Sequence, residues 1–436
     1  MNAVAKKTIN LKKSEDYLQR AQKVIPAVTQ TLSKGPTQFV QGIAPIYLQS
    51  GQGSHVFDVD GNEYIDYPGA LGPIILGYAH PNTNDAVMRQ LQEGITFSLM
   101  HPLEVEVAEL LTKIIPCADM VRFAKNGSDV TSAAIRVSRA YTGREIIAKC
   151  GYHGAQDWHV ISTPRNRGVP KFNQDLLIEF QYNNIETLEK AFDQNSGKIA
   201  AVIMEAAGIE EPQPGFLEQV KELTHKNGTL LIFDEIKAGF RVALGGAQTY
   251  YNVIPDLACF GKAMANGMPI SALVGQREIM QELEDVFFSM TFGGEALSLA
   301  ATLATIQEIQ EKRVLDYIWQ QGGKLKNGYN NLAQSLDLTP YTQCQGLAPK
   351  SLIQFFDAEN ANALLIKSLF QQEVIKRGIL FNGEHMMNFS HSDQDVNDTL
   401  IAYEEALYIV AQALKTDTVE KRIEGKKLED IFKARS

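Results

Sequence analysis

The chain has 436 residues, a formal net charge of −10, 44% hydrophobic residues and 21% charged residues. That length is ample for a full core and fits two to three domains, and the composition is that of a globular protein. The acidic balance excludes a general binder of nucleic-acid backbones and leaves room only for a local basic pocket around one small phosphate.

Residues 13–24 (KSEDYLQRAQKV) have the spacing of a short amphipathic helix entered at Ser14. Gln49 to Asp66 alternates as strands do, and Asp60-Gly61 between VFDV and NEYIDY signals a two-residue hairpin. From about residue 81 helices and short strands take turns. MRQLQEGI (88–95) and VEVAELLTKII (105–115) read as helices, VRFAK (121–125) as a strand, and Ser128 to Tyr141 as a helix. Strands are predicted at IIAKC (146–150), AAVIMEA (200–206), TLLIFDE (229–235) and LACFG (257–261). AVIM and LLIF are apolar throughout, which suits strands covered on both faces by helices.

This alternation predicts an α/β fold with a mostly parallel central sheet in a large domain, residues 81–330. The segments ANALLIKSLFQQEVIKRG and VNDTLIAYEEALYIVAQALK predict a smaller α+β domain over 331–436, which residues 1–80 join. The charged stretch 415–436 reads as a solvated terminal helix or tail.

Cys117, Cys150, Cys259 and Cys344 have neither CxxC pairing nor metal-ligand spacing. They fit reduced thiols of a cytoplasmic protein without a metal site. The opening MNAVAKKTINLKKSEDYLQR lacks the apolar stretch of a signal peptide, and no run approaches the ~20 apolar residues that span a bilayer. A cytoplasmic protein with no membrane and no nucleic-acid partner is expected.

Five places near predicted strand ends carry candidate chemistry, because ligands of open α/β sheets sit there. In KNGSDVTSAAIRVSRAY (125–141), Asn126-Gly127-Ser128 turns from strand to helix, as an anion site or as a plain N-cap by Ser128 or Asp129. Tyr152-His153-Gly154 follows a strand and offers an aromatic face for a flat ring, or simple packing. Asp234 ends four apolar residues, so its carboxylate needs a cationic partner, either a ring nitrogen or a structural arginine such as Arg241. Lys262 follows an apolar strand and Gly261 and precedes a Gly-rich apolar loop; it is an imine-forming lysine or a snorkelling surface one. Thr291 precedes two glycines and a helix, a turn compatible with phosphate or with an ordinary cap.

Taken in order, these places resemble the class III, fold-type I aminotransferases, and within them the glutamate-1-semialdehyde aminomutase-like branch. The resemblance runs from about residue 14 to 413. It rests on VFDVDGNEYIDY, ILGYAHP, NGSDVTSAAIRVSRAYTGR, the YHG loop, VIMEAAG, LLIFDEIKAGFR and FSHSDQDVNDTL, with Gly-Lys placing Lys262 28 residues after Asp234. It implies pyridoxal 5'-phosphate (PLP) as cofactor, tethered to Lys262 as a Schiff base, with Asp234 on the pyridinium nitrogen. It further implies Gly127 and Ser128 on the cofactor phosphate, Tyr152 on one ring face, Ile236 on the other, and Glu205 near the ring hydroxyl or substrate. Thr291 resembles the residue that reaches the phosphate from the neighbouring subunit, which implies a homodimer with shared active sites.

Three stretches depart from the aminomutase pattern. The phosphate turn reads Asn-Gly-Ser-Asp where relatives have Ser-Gly-Thr-Glu, and Thr291 is followed by Gly-Gly-Glu-Ala where they have Gly-Asn-Pro. PAVTQTLSKGP (26–36) replaces the substrate-contacting stretch and lacks its arginine. YHGAQDWHVISTPRNRGVP carries Trp158, Arg165 and Arg167, and resembles enzymes of surface-polysaccharide pathways, including the transaminase that makes 8-amino-3,8-dideoxy-manno-octulosonate. A keto- or aldehydo-sugar acid of lipopolysaccharide biosynthesis is therefore the expected acceptor and glutamate the expected donor, with the two arginines on its carboxylate or simply solvated. Two alternatives stand beside this reading: an intramolecular aminomutase, and a non-catalytic PLP-binding regulatory protein. The latter is expected to have lost Lys262 or Asp234, and both are present. No GxxxxGK[ST] occurs, and GQG at 51–53 lacks the third glycine of a dinucleotide fingerprint.

Overall fold

Strand Leu230–Asp234 is buried at every position, as its unbroken apolar run predicts, and lies in the middle of a seven-stranded sheet. The computed structural model describes residues 9–430. Across the sheet the strands follow the order Met120–Ala124, Ser271–Gly275, Leu257–Phe260, Leu230–Asp234, Ile199–Met204, Ile146–Cys150, Leu177–Glu179. All run in one direction except Ser271–Gly275, which is antiparallel to both of its neighbours. That strand corrects the expectation of a Gly-rich apolar loop after Lys262. SALVG has no polar alternation because both faces are covered.

Helix Gly127–Thr142 buries Val130, Ala133, Ala134 and Val137, a stripe at helical spacing that packs with Ile203, Ile232 and Leu273 of the sheet in one core cluster. Its alanines bring the helix close to the sheet. Gly143 ends it in the left-handed conformation at φ 65°, as a glycine past a last turn permits.

The chain divides into two units, residues 81–315 and residues 1–80 with 316–436. Helix Val314–Ser335 contains both this division and position 330. The first unit holds the large sheet. The second holds a four-stranded sheet, Leu48–Gln52, His55–Asp58, Glu63–Asp66 and Ile379–Leu380, and a three-stranded antiparallel sheet, Thr342–Gln345, Lys350–Phe355 and Glu384–Met386. Its core is a cluster of edge-packed aromatics that includes Tyr329, Phe370, Phe381 and Tyr403.

Three local expectations are revised in this second unit. The first helix begins at Lys12, and its opening N–H groups, Lys13 and Ser14, are capped by the carboxylate of Asp60 at 2.7 and 2.9 Å; Ser14 is buried instead of capping. Residues 59–62, not two residues, separate the hairpin strands. The tail is also no free helix: Lys426 bridges to Gln41, and Val419 and Leu428 are buried. Residues 431–436 lie outside the described residues. Among the described residues no helix is long and apolar enough to cross a membrane.

Candidate active site

Because every strand but one points the same way, the chain exits Ala124, Cys150, Met204, Asp234 and Phe260 at a single sheet edge. The next residues are Lys125 to Ser128, Gly151 to Gly154, Glu205, Glu235 with Ile236, and Gly261 with Lys262. Register makes this quantitative: Met204 pairs with Phe233, so Glu205 and Asp234 share the next rung, and Asp234 pairs with Cys259. Seven of the sequence-predicted residues, Gly127, Ser128, Tyr152, Glu205, Asp234, Ile236 and Lys262, therefore come from one edge.

Asp234 is buried. Its Oδ1 accepts from the N–H of Ile236 at 3.1 Å and its Oδ2 lies 2.8 Å from Nδ1 of His153. His153 is itself buried, and its Nε2 lies 2.9 Å from the Cys150 carbonyl. This partner for Asp234 was not singled out from the sequence; His153 stood there only as a loop residue between Tyr152 and Gly154. The chemical signal was a histidine just past a strand end beside a carboxylate that needs a partner. Arg241, the structural alternative, is fully buried on the same chain segment.

The walls close on glycines. A Cβ added to Gly127 would meet Ile236 at 3.2 Å, and one added to Gly261 would meet Ile236 at 3.2 Å. Ile236 thus sits against both the helix start and the residue before Lys262. At Gly154 a Cβ would lie 2.6 Å from Ser128 Oγ, and its φ of +119° is foreign to other residues. Ser128 Oγ accepts from the N–H of Ala155 at 3.0 Å, and Thr131 donates to the His153 carbonyl at 2.8 Å. These contacts pin the Tyr152–His153–Gly154 loop onto the helix start.

Lys262 has φ +44°, the left-handed region, which for a side-chain-bearing residue costs of order 1–3 kcal/mol and persists where surrounding structure imposes it. Asn266 repeats that conformation, so the chain turns sharply between the strands Leu257–Phe260 and Ser271–Gly275. Tyr152 is exposed and meets His159 edge-on at 5.0 Å between ring centres. Burial first, then the charges of Lys149 and His153, push His159 down to about 3, so it stays neutral and accepts from the N–H of His153 at 3.4 Å.

Thr291 is exposed in the turn before helix Ala296–Glu311. That turn is tied to the turn at Asn126-Gly127-Ser128 by a pair not anticipated from the sequence: Lys125 Nζ reaches Glu295 Oε2 at 2.9 Å. Burial alone would raise the Glu295 carboxyl, but Ser298, Lys125 and the Leu297 N–H outweigh it and hold it below the usual range. Trp158 is half-buried, packs on the core cluster and stacks on His153 at 6.4 Å. Arg165 and Arg167 are exposed in the loop that follows.

This donor set fits PLP. Helix-start amides with a serine suit a phosphate dianion, a buried carboxylate suits a protonated ring nitrogen, and the exposed Tyr152 and the Ile236 side chain offer apolar surface to a flat ring. A lysine at the same edge completes the set.

Residues 37–389 match the aminotransferase class-III family. The chain is 36% identical to a 3-aminobutyryl-CoA aminotransferase of Cloacimonas acidaminovorans over 93% of its own length and 99% of that protein. It is 34% identical to a glutamate-1-semialdehyde 2,1-aminomutase of Brevibacillus brevis, covering 92% and 99%. Among solved structures it superposes on the PLP internal aldimine form of the FumI protein of Sphingopyxis sp. MTA144 with a TM-score of 0.86 at 30% identity, covering 93% and 98%. An omega-transaminase from Sphaerobacter thermophilus gives 0.83 at 26%, covering 92% and 98%.

Proposed function

The chain belongs to the class-III aminotransferases, and from that premise we propose that it moves an amino group from glutamate to a carbonyl remote from the acceptor's own acid group. PLP, the cofactor of this family, supplies when bound a carbonyl that exchanges amines and a protonated ring that draws electrons. The observation that carries the reading is the buried Asp234, bonded to His153, at the same sheet edge as Lys262.

In this reading Gly127 and Ser128 hold the cofactor phosphate, Tyr152 and Ile236 enclose the ring, and Asp234 faces the ring nitrogen. The Lys262 amine tethers the cofactor and then takes and returns the proton at the carbon that bears the amine. Glu205, on the rung beside Asp234, stands near the ring hydroxyl or the substrate. Thr291 serves the phosphate of a neighbouring subunit in a homodimer. Support for that assembly comes from Leu99, Met100 and Phe287, 80%, 82% and 81% exposed in the single chain. Residues 95–104 also pack on the Thr291 turn, with Ala296 N–H donating to the Ile95 carbonyl at 2.9 Å and Gly294 against Glu104. Exposed apolar area on this scale favours a partner surface. Sedimentation should give a dimer, and Leu99→Asp with Met100→Asp should give monomer with lost activity.

For the acceptor we favour a keto- or aldehydo-sugar acid of lipopolysaccharide biosynthesis. The exposed Arg165 and Arg167 would meet its carboxylate, with Trp158 shaping the loop that carries them. A second reading, an acyl thioester with its carbonyl at carbon 3, is supported by the 3-aminobutyryl-CoA aminotransferase relative. The test is a two-stage assay on PLP-loaded protein. Glutamate should convert the cofactor to its amine form with one 2-oxoglutarate released per site, and candidate acceptors should then restore it. Conversion of glutamate-1-semialdehyde without any external donor would instead make the chain an aminomutase.

A further inference from the structure

Helix Gly127–Thr142 carries a second, polar stripe at the edge of its core face, beside the buried Ile135. Ser132, Ile135, Arg136 and Arg139 recur at spacings of three and four and so share one side of the helix. With Trp158 and Asn173 they line a cavity of about 370 Å³. Arg136 donates from Nη1 to the Phe287 carbonyl at 2.6 Å, and Arg139 donates from Nε to the Glu145 carbonyl at 2.8 Å. Each guanidinium keeps further donors, since five N–H groups are available. Neither forms an ion pair among the described residues, and the cavity wall carries one acidic side chain, Asp157. Burial holds the Arg139 guanidinium below its ordinary value, with Glu145 opposing. The indole N–H of Trp158 is buried without an acceptor among the described residues.

Arg136 and Arg139, three positions apart, are neighbours on one side of the helix and their charges repel each other; an oxyanion between them removes that cost and uses the remaining donors bidentately. We propose that this cavity is a second anion site, apart from the helix start at Gly127, and that it takes the phosphate group of inorganic phosphate or of a small phosphomonoester. The cavity communicates with the cofactor side through two contacts: Trp158 stacks on His153 with the planes 10° apart, and His153 bonds Asp234 at 2.8 Å. Binding stands without the role given to Asp234; only its effect on the cofactor rests on that role.

The experiment uses PLP-loaded Trp319→Phe protein in phosphate-free buffer, so that Trp158 is the remaining tryptophan. Inorganic phosphate, glycerol 3-phosphate and succinate are titrated at constant ionic strength, with Trp158 emission and cofactor absorbance followed together. A saturable emission change with both phosphates, weak or absent with succinate and with cofactor content unchanged, is expected. Arg136→Gln with Arg139→Gln should weaken binding at least about tenfold, while melting curves show the fold retained. Should that pair not fold, Ser132→Ala with Asn173→Ala provides the same comparison with the arginines in place. No saturable response, an equal response to succinate, or undiminished binding in the variants overturns the proposal. A preference between the two phosphates identifies the source of the group. An emission change without any shift in cofactor absorbance would leave the site but remove the coupling to Asp234.

Discussion

Nδ1 of His153 lies 2.8 Å from Oδ2 of Asp234, while Nε2 of the same ring lies 2.9 Å from the Cys150 carbonyl. A carbonyl only accepts, so Nε2 carries a hydrogen. The contact to Asp234 needs a second hydrogen, held between Nδ1 and Oδ2. The ring therefore fixes one carboxyl oxygen by a hydrogen bond, while Oδ1 accepts from the Ile236 N–H.

His153 is thus a positioning residue for Asp234. His153→Leu should lower kcat about 10- to 100-fold, the ~1.5–3 kcal/mol of a hydrogen bond to a charged group, with a smaller change in KM. Asp234→Asn should cost more, roughly 10²- to 10³-fold by analogy with loss of a preorganised charge partner. The pH profile of cofactor absorbance separates the two roles: it should shift in both variants and stay fixed in a surface control such as Lys221→Ala.

Lys262→Ala should lose turnover to background while still binding PLP through the remaining residues. Borohydride treatment followed by peptide mapping checks this. The wild-type chain should carry the reduced cofactor on Lys262, and the variant should carry none.

Gly154→Ala should weaken PLP retention, because the new methyl falls 2.6 Å from Ser128 Oγ at a φ of +119°. A cost of about 1–3 kcal/mol is expected, read as cofactor loss on dialysis and a lower melting temperature.

In the other unit, His55 lies 3.0 Å from Asp395 and 2.9 Å from Glu63. The hydrogen bond to Asp395 raises the His55 pKa above its ordinary value. Burial opposes ionisation of Asp395, yet His55, Ser54 and the Ser392 N–H together hold that carboxyl well below the usual range. The sign follows for each group. The His55 contribution is full below pH ~6.5 and fades as pH rises through its raised pKa. The Asp395 contribution is full above pH ~4 and fades as pH falls. His55→Asn should therefore lower the melting temperature most between about pH 4.5 and 6, with the gap to wild type closing by pH 9.

Much of the site was legible before any tertiary information. Strand runs such as LLIF, the helix stripe from Val130 to Val137 and the order of the NGS, YHG, FDE and GK segments are local signals, set by side-chain periodicity over a few residues. They placed Asp234 and Lys262 at strand ends, and the shared direction of the strands brings those ends to one edge. Only the tertiary structure could decide what each group meets there. His153 and Asp234 are 81 positions apart and Lys125 and Glu295 are 170 apart, and such pairings depend on sheet register and helix docking, which no local pattern encodes. The antiparallel strand Ser271–Gly275 was missed for the same reason: an apolar SALVG is a loop or a strand until two neighbours supply its hydrogen bonds.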